Sequence, residues 1–227
     1  MVEQVNKFCE DFKPTKHQKE QLDEYAYLLN EYNKVMNLTG IDEYGAVYEK
    51  HFYDSLTIQK FINKIEGKKI ADLGTGAGFP GIVLAIFNPE KEIYLIEPLK
   101  KRCNFLEIVI NKLHLNNVVI LNKRIEEVNE KFDVIVSRAV AKLNILLELA
   151  IPFIKKNGFF IALKGSNGYE EIKLSQNAIK ELFVKILEID EVELPFEKSK
   201  RINILFKKEK DNNKYPRNFG QIKKKPL

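Results

Sequence analysis

The chain has 227 residues, 44% of them apolar and 30% charged, so it can fill one main domain with at most a small appendage. Its net charge of +5 is a mild excess that by itself is weak evidence for a nucleic-acid partner, and its only cysteines, Cys9 and Cys103, and its three histidines, His17, His51 and His114, are too scattered for a disulfide framework or a metal centre. The opening stretch "MVEQVNKFCEDFKP" has no continuous apolar run, which excludes a secretory signal or a membrane span there, so the expectation is a cytoplasmic protein with no metal and no membrane partner.

In chain order, residues 15–38 place Leu22, Tyr25, Ala26, Leu29, Tyr32 and Met36 at three- and four-residue steps, predicting an amphipathic helix that starts after Pro14 and ends near "NLTG". A second helix is expected over about residues 43–61. From residue 68 the texture changes to short Ile-, Val-, Tyr- and Phe-rich runs alternating with helical patterns. The predicted strands are "KKIADLG", "EIYLIEP", "NVVILNK", "FDVIVSRA", "GFFIALKG", "VKILEIDEVEL" and "RINILFKKE". Helices are expected over "GIVLAIFN", "KKRCNFLEIVINKLH", "LNILLELAIPFIKK" and "YEEIKLSQNAIKELF". Only "PFEKSK" separates the last two strands, too little for a crossover helix, so they should form an antiparallel hairpin. The expectation is an α/β fold: a seven-stranded, mostly parallel sheet with helices on both faces and an antiparallel last strand. Residues 1–66 would be a helical extension packed on the core, 67–210 the main domain and 211–227 a basic tail.

That tail, "KYPRNFGQIKKKPL", holds Lys214, Arg217, Lys223, Lys224 and Lys225 without an acid, while Pro216, Gly220 and Pro226 oppose regular structure. Its composition fits a solvated tail or a phosphate-binding arm. As an arm for RNA alone, it could be removed without affecting a cofactor.

The most informative stretch is "ADLGTGAGFPG", residues 71–81. Read from Gly76, it satisfies the dinucleotide fingerprint, with Glu97 about 20 residues further on. Two residues oppose a bound pyrophosphate. Asp72 places an acid at the strand end, and Pro80, expected in the first helical turn, removes an N–H donor. The other frame, "DLGTGAG", sets Gly74, Gly76 and Gly78 after that acid and resembles motif I of class I S-adenosylmethionine-dependent methyltransferases. The resemblance implies a Rossmann-like fold whose turn passes under a ribose and an amino-acid tail, with Glu97 in "YLIEP" on the ribose hydroxyls. A tight turn without a ligand would need no acid at either strand end.

Further segments narrow the resemblance. "NLTG", "HFYDS", "DLGTGAGFPG", "KRCNFLE", "RIEE", "SRAVAKLN" and "ALKG" follow in that order, from about residue 15 onward, with "YPR" and "KKKP" near the end. Together they resemble the bacterial small-subunit ribosomal RNA guanine-N7 methyltransferases, also known as glucose-inhibited division protein B. The "GFPG" continuation and "SRA" are the specific parts. Tyr32 departs from the family, many of whose members have Trp there, but keeps an aromatic ring.

The resemblance implies methylation of N7 of one guanine in the decoding-region loop of 16S ribosomal RNA, with S-adenosyl-L-methionine as cofactor and the RNA or the small ribosomal subunit as partner of a monomeric enzyme. It implies cofactor contacts from Asp72, Gly74, Thr75, Gly76, Gly78, Phe79, Glu97, Ile125, Glu126 and Arg138, the last also acting catalytically. Substrate contacts would come from His51, Asp54, Ser55, Lys164, Arg217, Lys223, Lys224 and Lys225. Several of these have plainer readings: His51, Asp54 and Ser55 could pair or cap locally, Lys164 could be a solvated charge, Glu126 a surface acid, and Arg138 half of a buried ion pair with Asp54 or Glu97. Guanine N7 has an in-plane lone pair and no proton to lose, so the chemistry needs alignment, which can contribute roughly 7–11 kcal/mol, and no general base. The rival expectations are a methyltransferase for a small molecule or protein, and a non-catalytic RNA-binding assembly factor.

Overall fold

The computed structural model describes residues 2–41 and 43–227. The predicted first helix is α2, Lys16–Met36, preceded by α1, Val2–Phe12. Thr15 and Gln18 close a reciprocal capping box at the start of α2, and Asn37 ends it in the left-handed conformation at φ 48°. Helix α1 was not foreseen, although Val5, Phe8, Cys9 and Phe12 recur at three- and four-residue steps and pack against the core. The Phe8 ring meets Phe12, Tyr48 and Phe87.

The second predicted helix is broken into α3 (Tyr44–Val47), a π-helical turn (Tyr48–Tyr53), α4 (Asp54–Leu56) and α5 (Gln59–Asn63). The wider turn puts His51 and Asp54 out of simple helical register, at a place where such turns often serve function.

Strands β1 (Lys69–Leu73), β2 (Glu92–Ile96), β3 (Val118–Leu121), β4 (Phe132–Arg138), β5 (Ile154–Lys164), β6 (Val184–Glu193) and β7 (Lys200–Lys208) form one sheet in the order β3-β2-β1-β4-β5-β7-β6. Strand β7 runs antiparallel to both neighbours, and the remaining pairs are parallel. The expected hairpin is therefore present, with β7 inserted between β5 and β6. Strand order reverses between β1 and β4, and a crevice opens at the carboxyl ends of such strands.

Helices α6 (Gly81–Phe87), α7 (Lys100–Lys112), α8 (Leu143–Ala150), α9 (Gly168–Leu174), α10 (Gln176–Glu181) and α11 (Phe219–Lys224) complete the molecule. One apolar core joins the N-terminal helices to α6, α7 and one sheet face. A second lies on the other face, under α8 to α11. Three boundaries differ from expectation. Helix α8 stops at Ala150, since Pro152 allows only a 3₁₀ turn, and residues 154–156 already belong to β5. The helix expected over 169–183 divides at Ser175 into α9 and α10. The tail contains α11, whose Ile222 is completely buried. No helix among the described residues is long and apolar enough to cross a membrane.

Candidate active site

The glycine turn lies where β1 ends beside β2. The carbonyl of Ile96 accepts both Gly74 N–H (2.9 Å) and Thr75 N–H (3.2 Å), pinning the turn to the neighbouring strand. Gly74, Gly76 and Gly78 have φ of 71°, 62° and 107°, in the range that side chains disfavour. A Cβ on Gly74 would come within 2.6 Å of Val140, and one on Gly78 within 2.5 Å of the Tyr25 hydroxyl. On Gly76 it would meet only the Gly74 carbonyl, at 4.0 Å, and otherwise project into open space. Two glycines are thus required by packing and the third leaves a cradle. From the N-terminal helices, Tyr25 donates to the Ala77 carbonyl at 2.6 Å and holds the turn from the other side.

Two buried carboxylates flank this turn. Asp72 accepts from the Thr75 hydroxyl (2.6 Å) and Gly81 N–H (2.8 Å), while its Oδ1 is buried without a hydrogen-bond partner. Burial, partly offset by those two bonds, raises its pKa from 3.8 to about 6. Pro80 stands at the N-cap of α6, just outside the first helical turn in which it was expected. Glu97, just past β2, accepts Gly76 N–H (3.1 Å) on Oε2 and Leu99 N–H (2.9 Å) on Oε1, with the Arg102 guanidinium 3.4 Å from Oε2.

A third cluster joins the end of β4 to the π-helical turn. Arg138 donates through Nη1 to the Lys50 carbonyl (3.1 Å) and Asp54 Oδ2 (2.8 Å), and its Nη2 lies 3.2 Å from His51 Nδ1. The plainer reading of Arg138 thus holds in part: it has an ion pair, with Asp54 and not with Glu97. Because the guanidinium can only donate, His51 Nδ1 must accept, so Nε2 carries the proton and donates to the Thr39 hydroxyl at 2.9 Å. Burial, reinforced by the Arg138 charge, lowers the His51 pKa to about 3 and keeps the ring neutral. The imidazole stacks on Phe79 at 4.3 Å, and Tyr25 stacks on that same ring at 5.2 Å. Thr39 and His51 explain why "NLTG" and "HFYDS" occur together. Ser55 donates inward, to the His51 carbonyl at 2.6 Å, a local bond of the kind its plainer reading named.

Lys164 at the end of β5 is buried, not solvated. It donates to the Ala141 carbonyl (2.7 Å) and pairs with Glu171 (2.8 Å), whose carboxylate also accepts Leu143 N–H at 2.7 Å. Ile125 is buried in the second core within a 3₁₀ turn, Ile125–Glu127, and Glu126 is half-buried beside it. Arg217 is engaged by the completely buried Glu148 at 2.7 and 2.5 Å, so it is an anchor of the tail and not a loose cation. Lys223, Lys224 and Lys225 are exposed.

Arg138, His51, Asp54 and Lys164 line one cleft of about 600 Å³, together with Lys50, Lys142, Glu171 and Arg201. Sequence reading missed Arg201, whose Nε holds Asp54 Oδ1 at 2.9 Å. It missed Glu171 as well. Neither stands in a local motif; the partner of Arg201 lies 147 positions away, and Glu171 meets Leu143 across 28. Five cations against two carboxylates give the cleft a positive balance, suited to a polyanion. The cradle at Gly76, the carboxylate of Glu97 and the unpartnered Asp72 oxygen fit a ligand with a ribose and a cationic tail. Among the described residues, no group of three or more His, Cys, Asp or Glu is arranged to hold a metal.

Among solved structures, the chain is similar to the S-adenosylmethionine-dependent O-methyltransferase of Thermotoga maritima (TM-score 0.55, 20% identity, 82% of this chain and 72% of that one). It also resembles M. jannaschii TYW2 in complex with AdoMet (TM-score 0.54, 19% identity, 68% and 76%). At these identities the likeness establishes a shared class I methyltransferase fold. Among curated proteins, it is 49% identical over 212 residues to the ribosomal RNA small subunit methyltransferase G of Mycoplasma capricolum, covering 91% of this chain and 90% of that one. The Fusobacterium nucleatum protein of the same name is 47% identical, with 89% of each covered. Residues 18–201 match the family model described as rRNA small subunit methyltransferase G. With sequence, fold and glycine turn in agreement, the chain belongs to the rRNA small subunit methyltransferase G family of S-adenosylmethionine-dependent methyltransferases.

Proposed function

We propose that the protein transfers the methyl group of S-adenosyl-L-methionine to N7 of one guanine in the decoding-region loop of 16S ribosomal RNA, acting as a monomer in the cytoplasm. The observation that carries this reading is a juxtaposition. The cradle formed by Gly76 and Glu97 opens at the same sheet edge as the positively lined cleft around Arg138.

S-adenosyl-L-methionine supplies an electrophilic methyl group on a sulfonium. Gly76 leaves room for the backbone to come close to it, with Gly74 and Gly78 holding the turn in shape, and Glu97 would receive the ribose hydroxyls on a carboxylate already oriented by two amides and Arg102. Asp72 braces the turn from beneath and sets a negative potential there. Ile125 and Glu126 would border the adenine.

On the RNA side, Arg138 has three of its five N–H groups taken by described residues. The others can reach the O6 edge of a guanine, and fixing that edge fixes the N7 lone pair. Its guanidinium is held with its centre 5.2 Å from the Phe79 ring, which restricts its orientation further. His51 is too weak a base to take a proton near neutrality, and N7 has none to give. Alignment is the catalytic contribution. The exposed lysines of α11 and the cleft cations would meet RNA phosphates.

Titration of S-adenosylmethionine into the wild type and Glu97→Gln, followed by labelled methyl transfer to 16S RNA, tests this reading. Loss of a charge-assisted bond should weaken cofactor binding by about 1.5–3 kcal/mol. Equal affinity in the two proteins removes Glu97 from the site.

A further inference from the structure

The basic tail is fastened to the cofactor side of the molecule. Arg217 gives its backbone N–H, Nε and Nη2 to Glu148 of α8, at 3.1, 2.7 and 2.5 Å. Ile222 is completely buried in the core that also holds Ile125 and Leu143. The ring of Phe219 lies 5.3 Å from the Arg124 guanidinium. Asn144 at the start of α8 donates to the Leu227 carbonyl at 3.3 Å.

These anchors fall on two segments, one beside the cleft and one joined through β3 to Glu97. Helix α8 follows the loop 139–142, which lines the cleft and packs Val140 over Gly74. The other segment is the turn after β3, closed by Arg124 N–H on Glu127 Oε2 at 3.0 Å. Strand β3 is tied to the ribose side, since Glu97 N–H donates to the Leu121 carbonyl at 3.1 Å and Asn122 donates to the Glu97 carbonyl at 3.0 Å. Phe219 therefore packs on the residue that opens the turn, immediately before Ile125 and Glu126.

We infer that the C-terminal segment is a positioning strap, in which Phe219 and Ile222 hold the 124–127 turn and α8 in the arrangement that receives the adenine side of the cofactor. The inference rests on the S-adenosylmethionine reading above and reverses the expectation that the tail meets RNA alone. If the docked strap raises cofactor affinity by some factor, bound cofactor must favour strap docking by the same factor. RNA engaging Lys223, Lys224 and Lys225 bears on that same equilibrium, because these lysines project from the strap itself.

The test uses full-length protein, because removing the tail would leave Glu148 buried and unpaired. Phe219→Ala and Phe219→Trp are compared with the wild type by calorimetry with S-adenosylmethionine, by thermal melting, and by amide exchange over residues 124–128 and 219–225. Phe219 is 39% exposed, so the Ala variant should melt close to the wild type. Its cofactor affinity should fall about two- to fivefold, and both segments should exchange faster. Trp should restore affinity, and cofactor should slow exchange over 219–225 in the wild type. Wild-type affinity and unchanged exchange over 124–128 in Phe219→Ala overturn the strap. Absence of cofactor binding by the wild type overturns the methyl-transfer reading and the strap together.

Discussion

Arg138 and Asp54 are joined at 2.8 Å across 84 positions of sequence, and the second oxygen of the same carboxylate holds Arg201 at 2.9 Å. One carboxylate, at the start of α4 just after the π-helical turn, thus ties the end of β4 to β7. This pair is structural, and it also fixes the guanidinium proposed to orient the guanine. Breaking it from either side leaves buried polar groups, a cost of about 1–3 kcal/mol for each neutral group left unpaired.

The two roles separate by substitution. Arg138→Lys keeps a charge for Asp54 but cannot reach Asp54, the Lys50 carbonyl and His51 together. Single-turnover methylation should fall at least about tenfold with a melting shift within about 4 °C, whereas Arg138→Ala should lose both. If activity falls only in step with melting temperature across both variants, Arg138 is purely structural.

The glycines give a second separation. Gly76→Ala places its Cβ in open space, so its stability cost is that of a positive φ, about 1–2 kcal/mol, while the added methyl enters the cradle. Cofactor affinity should fall at least about tenfold. Gly78→Ala drives its Cβ to 2.5 Å from the Tyr25 hydroxyl and 2.7 Å from Ile82, and should cost about 3 kcal/mol or more. Urea unfolding and cofactor titration of both variants decide this. Equal affinity of Gly76→Ala and the wild type would remove Gly76 from the cradle.

Asp72 links the turn to pH. Its folded pKa of about 6 exceeds the ordinary 3.8, so the folded state favours the protonated acid. That contribution is fully present below pH 3.8 and is lost as pH rises through 6. His51, with its pKa lowered to about 3 from 6.5, acts in the opposite sense: its contribution is present above pH 6.5 and is lost on acidification. In the overlap, from about pH 4 to 6, the two oppose each other. Relative to Asp72→Asn, the wild type should lose up to about 1.4 kcal/mol of stability per pH unit between pH 4 and 6. A pH-independent difference in denaturant midpoints would contradict a raised Asp72 pKa.

Sheet, strand positions and final hairpin were legible because β-rich runs and short connections are local signals. The glycine turn was legible for the same reason. Pro152 was in plain view, yet the apolar run on both sides of it hid the change from helix to strand at Ile154. Helix α1 sets Val5, Phe8, Cys9 and Phe12 at three- and four-residue steps against the core, a periodic signal that was legible and was missed, whereas α11 is held by one fully buried residue, Ile222, which makes no periodic pattern. The ionic partner of Arg217, 69 positions away, could not be read locally, whereas Asp54 was one of two carboxylates expected for Arg138. Such partners are chosen by which strand ends and helix faces the fold brings together, and that choice makes Arg217 a half-buried anchor of the tail.

On the RNA side, replacing Lys223, Lys224 and Lys225 together with Gln should flatten the dependence of log affinity on log salt by roughly 0.7–0.9 for each phosphate no longer neutralised. Filter binding to 16S RNA at several salt concentrations measures that slope. An unaltered slope would leave these lysines as solvated charges.

Methyl transfer to a guanine N7 in one RNA loop is tested most directly on the ribosomal particle. Small ribosomal subunits lacking this methylation, incubated with the protein and S-adenosylmethionine, can be cleaved chemically at N7-methylguanine and the break mapped by primer extension. A single new break in the decoding-region loop, absent without cofactor and strongly reduced with Arg138→Lys, is the expected result. A methyl group on another atom, at another RNA position or on a protein of the particle would contradict it.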